Sequence, residues 1–277
     1  MAAPPPSLSE DFNAAYTSAN VGSNAAAFDS KLFENIKDQI RDGHREGTSE
    51  LFAYALVAIM LCAQKRADAV APLFHMAIKD LSPQETRNAF ETFREAITVT
   101  YPFIGLPNCV PACFGIIGIV RELGYGPGEQ RRRTDIQHPN TLEQGLEMRR
   151  QIYRGVGNPE VHYMMSNWFP DMAYCTNTFI FGYAVGGSLD FFTVQQSELL
   201  IVSAILATGA TRQSRSHVKA SIQLGNPAAL LKTLVGAAEQ VAGWNGQTLP
   251  GEVNVDELKA ELYRNLAALG KEKDGAM

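Results

Sequence analysis

Apolar positions recur along the chain at intervals of three and four residues, the spacing of one face of an α-helix. From Ser30 onward, for example, Leu32, Phe33, Ile36 and Ile40 follow this spacing. The strict alternation of apolar and polar residues that is typical of a half-buried β-strand is absent from the sequence. The pattern therefore predicts an all-α protein.

Capping residues and glycines indicate where several of the predicted helices begin or end. Ser82, Pro83 and Glu85 form a capping-box start with proline at the first helical position, and Asn254 and Gly270 bound the last helix. After the helix that starts at Ser30, helices are predicted near residues 49–64, 67–79, 82–99, 159–186, 193–208, 211–224, 227–241 and 254–269, with another starting at residue 141 and an apolar stretch at 114–123.

Two predicted helices, at residues 50–63 and 198–207, are apolar on every side, which is typical of deep burial. The longest apolar run, Leu51 to Ala63, has 13 residues. A membrane span needs roughly 20, so no membrane partner is expected. The apolar surface of the two helices predicts a homo-oligomer, in the first place a trimer.

The two halves of the chain show the same order of features. In each half an acidic residue opens an apolar helix, and a histidine and a Gly-containing turn follow. These residues are Glu50, His75 and Gly105 in the first half, and Glu198, His217 and Gly243 in the second. We predict an internal repeat of about 90–100 residues, which makes the chain a pseudo-dimer.

The predicted organisation has five parts. They are an N-terminal arm and first helix (1–47), a degenerate first repeat (48–123), a connector (124–149), a second repeat with the candidate site (150–250) and a C-terminal helix and tail (251–277).

Composition and charge narrow the possible functions. Apolar residues make up 45% of the 277 residues and charged residues 19%, which is enough apolar content for a sizeable core. The net charge is −5, and the one basic cluster, Arg131 to Arg133, is predicted to be a short surface loop. No nucleic-acid partner is therefore expected. The N-terminus shows no secretory signal pattern.

Four scattered cysteines do not form a disulfide framework, and five dispersed histidines show no metal-ligand spacing. We therefore expect a cytoplasmic protein with no metal and no cofactor. Cys109 and Cys113 form a Cys-x3-Cys pattern, one residue longer than a redox CxxC pair. A redox role for these two thiols stays open as an alternative to a structural one.

The most specific pattern lies in the second half. The segments Phe181-Gly182, Leu189-Asp190 and Ser197-Glu198-Leu199-Leu200 are followed by His217, 19 positions after Glu198, and then by Leu224-Gly225 and Gly243. In these features the chain resembles the carboxymuconolactone decarboxylase-like superfamily, which includes the alkylhydroperoxidase D group. The resemblance covers roughly residues 48–123 and 150–246.

The resemblance implies an all-helical fold that assembles into homotrimers or hexamers. It also offers two chemistries: a thiol peroxidase type with a CxxC pair, and a cofactor-free lyase type with a histidine and a carboxylate. This chain has Ala210 and Gln213 in place of the two thiols, and Ser197 where an arginine is usual. The lyase type is therefore favoured, with His217 as general acid/base and Glu198 as its orienting partner.

Residues around His217 supply a candidate substrate site. Gln213 and Ser214 share its helix face, while Arg212 and Arg215 occupy the neighbouring face. Together with the helix N-terminus they suit an anion, the alternative being a solvated helix start. An aromatic-rich stretch could wall the pocket, the alternative being ordinary core; its candidate residues are His162, Tyr163, Trp168 and Cys175.

Together these features predict a cofactor-independent acid–base enzyme of decarboxylase, isomerase or cyclase type. Its small-molecule substrate would be an organic acid, a lactone or an aromatic or polyketide-derived intermediate, as in secondary metabolism. His75, whose spacing from Glu50 differs from that of the second repeat, is predicted to be structural. The alternatives are a thiol-dependent peroxide-reducing protein built on Cys109 and Cys113, and a non-catalytic oligomeric binding protein.

Overall fold

The computed structural model describes residues 14–44, 47–126, 131–133 and 135–274. Within these ranges the regular structure is entirely helical and no strand is present, which confirms the all-α class. The first part of the predicted N-terminal arm, residues 1–13, lies outside the described residues.

The α-helices are α1 (Ser30–Asp42), α2 (Glu50–Ala63), α3 (Val70–Ala77), α4 (Pro83–Ile104), α5 (Leu106–Glu122), α6 (Thr141–Tyr153), α7 (Pro159–Trp168), α8 (Pro170–Cys175), α9 (Val194–Ala207), α10 (Thr211–Gln223), α11 (Ala228–Trp244) and α12 (Val255–Asp274). A ten-residue π-helix, Thr176–Val185, continues directly from α8, and a short π-helical turn lies at Ala14–Ser18. Two 3₁₀ turns occur at Ala67–Ala69 and Gly186–Ser188.

The capping box predicted at the start of α4 is confirmed. The Ser82 hydroxyl accepts from the backbone N–H of Glu85, and the Glu85 carboxylate accepts from the backbone N–H of Ser82 at 2.8 Å. Thr193 and Gln196 form an equivalent box at the start of α9. These contacts satisfy backbone donors that the first turn of each helix leaves free.

The stretch predicted as one helix at residues 159–186 is broken, so that prediction is wrong. α7 ends at Trp168, and Phe169 adopts an extended φ of −134°. The break occurs because a residue that precedes proline, here Pro170, is sterically pushed out of the helical region. Beyond α8 the chain winds into the π-helix, a rare form that is frequent at functional sites.

Helices α2 and α9 form the centre of the core and pack against each other, with α4 and α11 against both. Every residue from Phe52 to Ala63 and from Ser197 to Ala207 is buried. The apolar surface from which a homo-oligomer was inferred is thus covered within a single chain, and that argument for a partner is wrong. No helix in the described part of the chain is both long enough and apolar enough to cross a membrane.

Among the described residues of the first half, Glu50 and His75 do not form a counterpart of the Glu198–His217 pair. The Glu50 carboxylate lies 2.8 Å from the Lys37 ammonium, and the His75 side chain is exposed on α3. The internal repeat as such stays a prediction.

The Arg131–Arg133 cluster is not a simple surface loop, which corrects the sequence prediction. The Arg133 side chain is only 6% exposed and forms a buried ion pair with the Glu95 carboxylate of α4. It also donates to the carbonyl oxygens of Tyr183 and Ala184, at 2.9 and 2.7 Å, near the C-terminal end of the π-helix. The Arg133 cation complements the dipole of the π-helix at its C-terminal end. Its hydrogen bonds hold the Arg131–Arg133 segment against the π-helix.

Candidate functional site

The Glu198 and His217 side chains are in direct contact. Glu198 lies in the buried part of α9, and His217 lies on α10, the next helix of an antiparallel pair. Oε1 of Glu198 lies 2.7 Å from Nδ1 of His217, and the exposed fractions of the two residues are 0% and 4%. When the carboxylate is ionised it can only accept, so Nδ1 carries the proton and Nε2 is left as an acceptor.

The second ring nitrogen of His217 is hydrogen-bonded as well. Nε2 lies 3.0 Å from the hydroxyl oxygen of Tyr153, the last residue of α6. With the tautomer set by Glu198, the tyrosine hydroxyl donates to Nε2. The three side chains therefore form one chain of hydrogen bonds, from carboxylate to imidazole to phenol.

A cavity of about 750 Å³ opens onto this chain of hydrogen bonds. Both Tyr153 and His217 line it, so the phenol and the imidazole are accessible to a ligand. The volume is within the usual range for small-molecule sites. Its walls are formed by α6, the α6–α7 loop, α7, α8, the π-helix, the first half of α10 and the C-terminal half of α12.

The cavity lining combines cationic and apolar side chains. Four arginines line it, namely Arg149, Arg150, Arg154 and Arg212, and no carboxylate does so among the described residues. The apolar lining includes Phe181, Met165, Val161, Ala173 and Leu269. This distribution suits an anionic group attached to an apolar body.

The Arg149 guanidinium lies over the Tyr153 ring. The guanidinium carbon lies 5.6 Å from the centre of the ring, and burial lowers the pKa of Arg149 from the usual arginine value. Burial also raises the pKa of Tyr153, an effect that Glu198 strengthens and Arg149 opposes. Tyr153 is therefore a neutral phenol at physiological pH, able to donate a proton.

The loop between α6 and α7 is anchored from two other helices. The Lys219 ammonium of α10 donates to the Val156 carbonyl at 2.7 Å and lies 2.6 Å from the Glu261 carboxylate of α12. The Asn265 amide donates to the Gly155 carbonyl at 3.0 Å. These contacts hold Gly155 and Val156, the loop residues that come shortly after Tyr153, in place in the cavity wall.

The structure brings some of the predicted binding residues to the cavity and not others. Arg212, Gln213 and His162 line it. Ser214 is buried and donates to the Ala210 carbonyl at 3.1 Å, and Arg215 is exposed; neither belongs to the cavity lining. Burial, together with the cation of Arg149, lowers the pKa of His162, which keeps this imidazole neutral at pH 7.

The aromatic wall expected from Tyr163, Trp168 and Cys175 does not form. The two aromatic side chains are 69% and 77% exposed, Cys175 is exposed, and none of the three lines the cavity. Their helices α7 and α8 turn a different face inward, one that carries His162 and Ala173. A helical stretch rich in aromatics does not by itself reveal which face is turned inward.

The lining residues missed from the sequence include Tyr153, Arg149 and Asn177. Tyr153 and Arg149 are four positions apart on α6 and therefore share a face, and arginines at 149, 150 and 154 gave a detectable charge pattern. Nothing in the sequence pointed to Asn177, because its place in the wall depends on the π-helix.

Cys109 and Cys113 lie one turn apart on α5 and do not line the cavity. Burial raises the pKa of Cys113 to about 11, and a hydrogen bond with Cys109 together with burial raises that of Cys62. A thiol must ionise to act as a nucleophile, so these environments oppose peroxide reduction. In the described part of the chain, no group of three His, Cys, Asp or Glu side chains is arranged to hold a metal ion.

Comparison with known proteins identifies no relative: no family model, no curated protein and no solved structure matches this chain.

Proposed function

We propose that this protein is a cofactor-independent acid–base enzyme of lyase or isomerase type. Its substrate would be a small organic acid, a lactone or an aromatic or polyketide-derived intermediate, of the kind handled in cytoplasmic secondary metabolism. The observation that carries the proposal is the hydrogen-bonded chain Glu198–His217–Tyr153, which ends at a cavity with cationic and apolar walls. We also propose that the chain is a member of the carboxymuconolactone decarboxylase-like superfamily, which it resembles in sequence.

The chain of hydrogen bonds supports a two-step proton relay. The Tyr153 oxygen takes a proton from a carbon or oxygen of the substrate while its own proton passes to Nε2 of His217. The imidazolium that forms is stabilised by the adjacent Glu198 carboxylate, with 2.7 Å between the two groups. The relay then runs in reverse and delivers a proton to a different atom, which completes an isomerisation, a ring closure or the protonation that follows loss of CO₂.

The arginines supply the other half of the proposed chemistry. Proton removal next to a carbonyl group builds negative charge on oxygen, and preorganised cations lower the energy of such a state. Arg149 lies beside the Tyr153 ring, and Arg212 lies on the same helix as His217. Both are placed to hold an anionic substrate close to the proton relay.

The two alternative functions receive less support. The thiol peroxidase reading needs an ionisable thiol at an accessible site, and the pKa of Cys113 is raised to about 11 by burial. A binding protein that had lost its chemistry was expected to have a closed, dry interior at His217. An open cavity of about 750 Å³ is present there instead.

We also propose that the protein forms a homotrimer or hexamer. Support comes from α7 and α8, whose outer surfaces expose Tyr163, Met164, Trp168, Phe169, Met172 and Tyr174 by 54–77%. Contiguous apolar patches of this kind are uncommon on monomers. Sedimentation velocity should give a multiple of the 30.2 kDa chain mass, and a 30.2 kDa species at micromolar concentration would contradict the proposal.

The proposed reaction can be tested without knowing the natural substrate. Purified protein is incubated in D₂O with a panel of β-keto acids, unsaturated lactones and hydroxylated aromatic acids, and proton exchange and product formation are followed by NMR. We expect turnover without added cofactor that survives dialysis against EDTA. His217→Ala should lower kcat by about 10² to 10⁴, the usual loss of a positioned acid/base.

His75→Ala is the matched control, because this histidine is exposed on α3. It should change kcat by less than about tenfold, far below the loss for an acid/base residue. Equal rates for wild type and His217→Ala, with the fold intact, would remove the basis of the assignment. Absence of turnover across the whole panel would count against the proposed reaction class.

A further inference from the structure

A buried amide in the cavity wall has no partner in the protein. Asn177, the second residue of the π-helix, is 7% exposed and lines the cavity. Its side-chain amide makes no hydrogen bond within the described residues, and its Oδ1 is a buried, unpaired atom. Buried polar groups are nearly always paired, and an unpaired one costs stability. Asn177 therefore brings an amide group with unused hydrogen-bonding capacity to the cavity wall.

Close packing fixes the position of this residue. A Cβ atom at Gly145 of α6 would lie 1.8 Å from the Asn177 carbonyl oxygen, so glycine at 145 allows the π-helix backbone to approach α6. Gly145, Arg149 and Tyr153 follow at intervals of four residues and share one face of α6. Asn177 thus lies beside the row of residues that carries the guanidinium and the phenol of the site.

The next turn of the π-helix completes this wall. Phe181 packs edge-on against the Tyr153 ring, with 5.9 Å between the ring centres. An apolar ligand body resting on Phe181 would occupy the cavity that Tyr153 and Asn177 also line. Only a polar substituent on that body could pair with the amide.

We infer that Asn177 binds a hydroxyl group of the substrate, and that the cavity selects hydroxylated organic acids over otherwise identical acids without the hydroxyl. An amide presents one donor group and one acceptor, and a hydroxyl can pair with whichever of these faces the cavity. Arg149 binds the carboxylate of such a ligand. This inference rests on the proposed function, since it takes the His217 cavity to be the substrate site.

The inference makes Asn177 a specificity residue with no part in proton transfer. An amide neither gains nor loses a proton near neutral pH, so Asn177 orients the ligand while Tyr153 and His217 move the proton. Substrates that lack the hydroxyl leave the buried amide unpaired, and such sites discriminate strongly.

Binding rather than turnover tests this inference, which separates it from the proposed reaction. Isothermal titration at pH 7 compares benzoate with 2-, 3- and 4-hydroxybenzoate, all of which are carboxylates at this pH. We expect the best hydroxylated isomer to bind wild type at least about fivefold more tightly than benzoate, the size of one net hydrogen bond. Asn177→Ala and Asn177→Leu should both reduce this ratio to about one.

Asn167→Ala is the control, because this asparagine is exposed on α7 and does not line the cavity. It should leave the hydroxyl preference within about twofold of wild type, below the effect of one hydrogen bond. If the Asn177 variants fail to fold, the methylbenzoate with its methyl group at the position of the preferred hydroxyl is tested on wild type, where it should bind more weakly than that hydroxybenzoate because a methyl group neither donates nor accepts a hydrogen bond.

Several results would overturn the inference. They are equal binding of benzoate and all three hydroxybenzoates to wild type, a hydroxyl preference that persists in Asn177→Ala, and no binding of any acid. A hydroxyl preference retained in His217→Ala, with turnover lost, is the result expected when both the inference and the proposed reaction hold. A preference that depends on Asn177 without any turnover in wild type would support the inference and count against the reaction.

Discussion

The hydroxyl oxygen of Tyr153 lies 3.0 Å from Nε2 of His217, across 64 positions of sequence. Since Nδ1 of the same ring is held by Glu198, both nitrogens of the imidazole are already engaged within the protein. A ligand in the cavity would therefore meet the phenol at one end of the proposed proton relay. The arrangement has the logic of a catalytic triad, in which a third group orients the base that serves the reacting side chain.

Tyr153→Phe should lower kcat by about 10² to 10⁴, because it removes the group through which the relay reaches the substrate. The fold should be retained, since the ring keeps its edge-on contact with Phe181. The measurement is steady-state turnover of the most active panel substrate. Tyr174→Phe on the exposed face of α8 is the control and should match wild type; a Tyr153→Phe enzyme with wild-type kcat would show that the phenol is a bystander.

Glu198→Gln should have a smaller effect than His217→Ala. A glutamine amide can donate as well as accept, so it no longer forces the imidazole proton onto Nδ1, and part of the population holds the tautomer that cannot accept from Tyr153. We expect a fall in kcat of about tenfold to a hundredfold, at the lower end of acid/base effects, and an altered pH–rate profile. A loss equal to that of His217→Ala, or an unchanged profile, would be inconsistent with an orienting role.

The raised pKa of Tyr153 predicts a loss of stability in alkali. Burial raises the pKa of this phenol above 10.0, the ordinary value for tyrosine, near which it titrates in the unfolded chain. Its contribution to stability is present below about pH 10 and declines as the pH rises toward the folded-state pKa, because the unfolded state alone releases the proton. Urea midpoints between pH 8 and 11 should fall less steeply for Tyr153→Phe than for wild type, and parallel curves would contradict the prediction.

The positions of most helices could be predicted from the sequence, because they depend on local apolar periodicity and on capping residues. The Ser82–Glu85 capping box was predicted in this way. The closeness of Glu198 to His217 was also predictable, because the two residues lie on neighbouring helices of one hairpin. Tyr153 was not accessible, since it arrives from a separate helix and no pattern specifies which turn of that helix will face the hairpin.

Features that depend on tertiary packing escaped the sequence analysis for the same reason. Arg133 reads as one member of a solvated basic run, yet its ion pair with Glu95 buries it. Trp168 and Tyr163 read as pocket walls, yet both point outward. The π-helix is likewise set by close contacts with α6 rather than by residue preferences, which left Asn177 without any signal.

Gly145→Ala should destabilise the fold and disturb the cavity wall. The added methyl group would lie 1.8 Å from the Asn177 carbonyl oxygen, so α6 and the π-helix must move apart. We expect a loss of about 1–3 kcal/mol in the free energy of unfolding, the usual cost of overpacking, and weaker ligand binding. Gly236→Ala in α11 is the control: a Cβ there has no neighbour within 4 Å, and the change should stabilise the helix by about 0.5–1 kcal/mol. Equal stability of the two variants would contradict the close approach.

Breaking the buried ion pair between Arg133 and Glu95 should cost more than any surface charge change in the protein. Arg133→Met leaves the Glu95 carboxylate, which is 3% exposed, without its cation, and such losses typically cost about 3–5 kcal/mol. Arg131→Met removes an exposed pair with Asp135 and should cost about 0–1 kcal/mol. Urea denaturation of the two single variants measures the difference directly.

The double variant Arg133→Met/Glu95→Leu should recover much of the loss, because it removes the stranded charge as well as its partner. If Arg133→Met proved no more harmful than Arg131→Met, the connector would not be held to α4 and the π-helix by this contact.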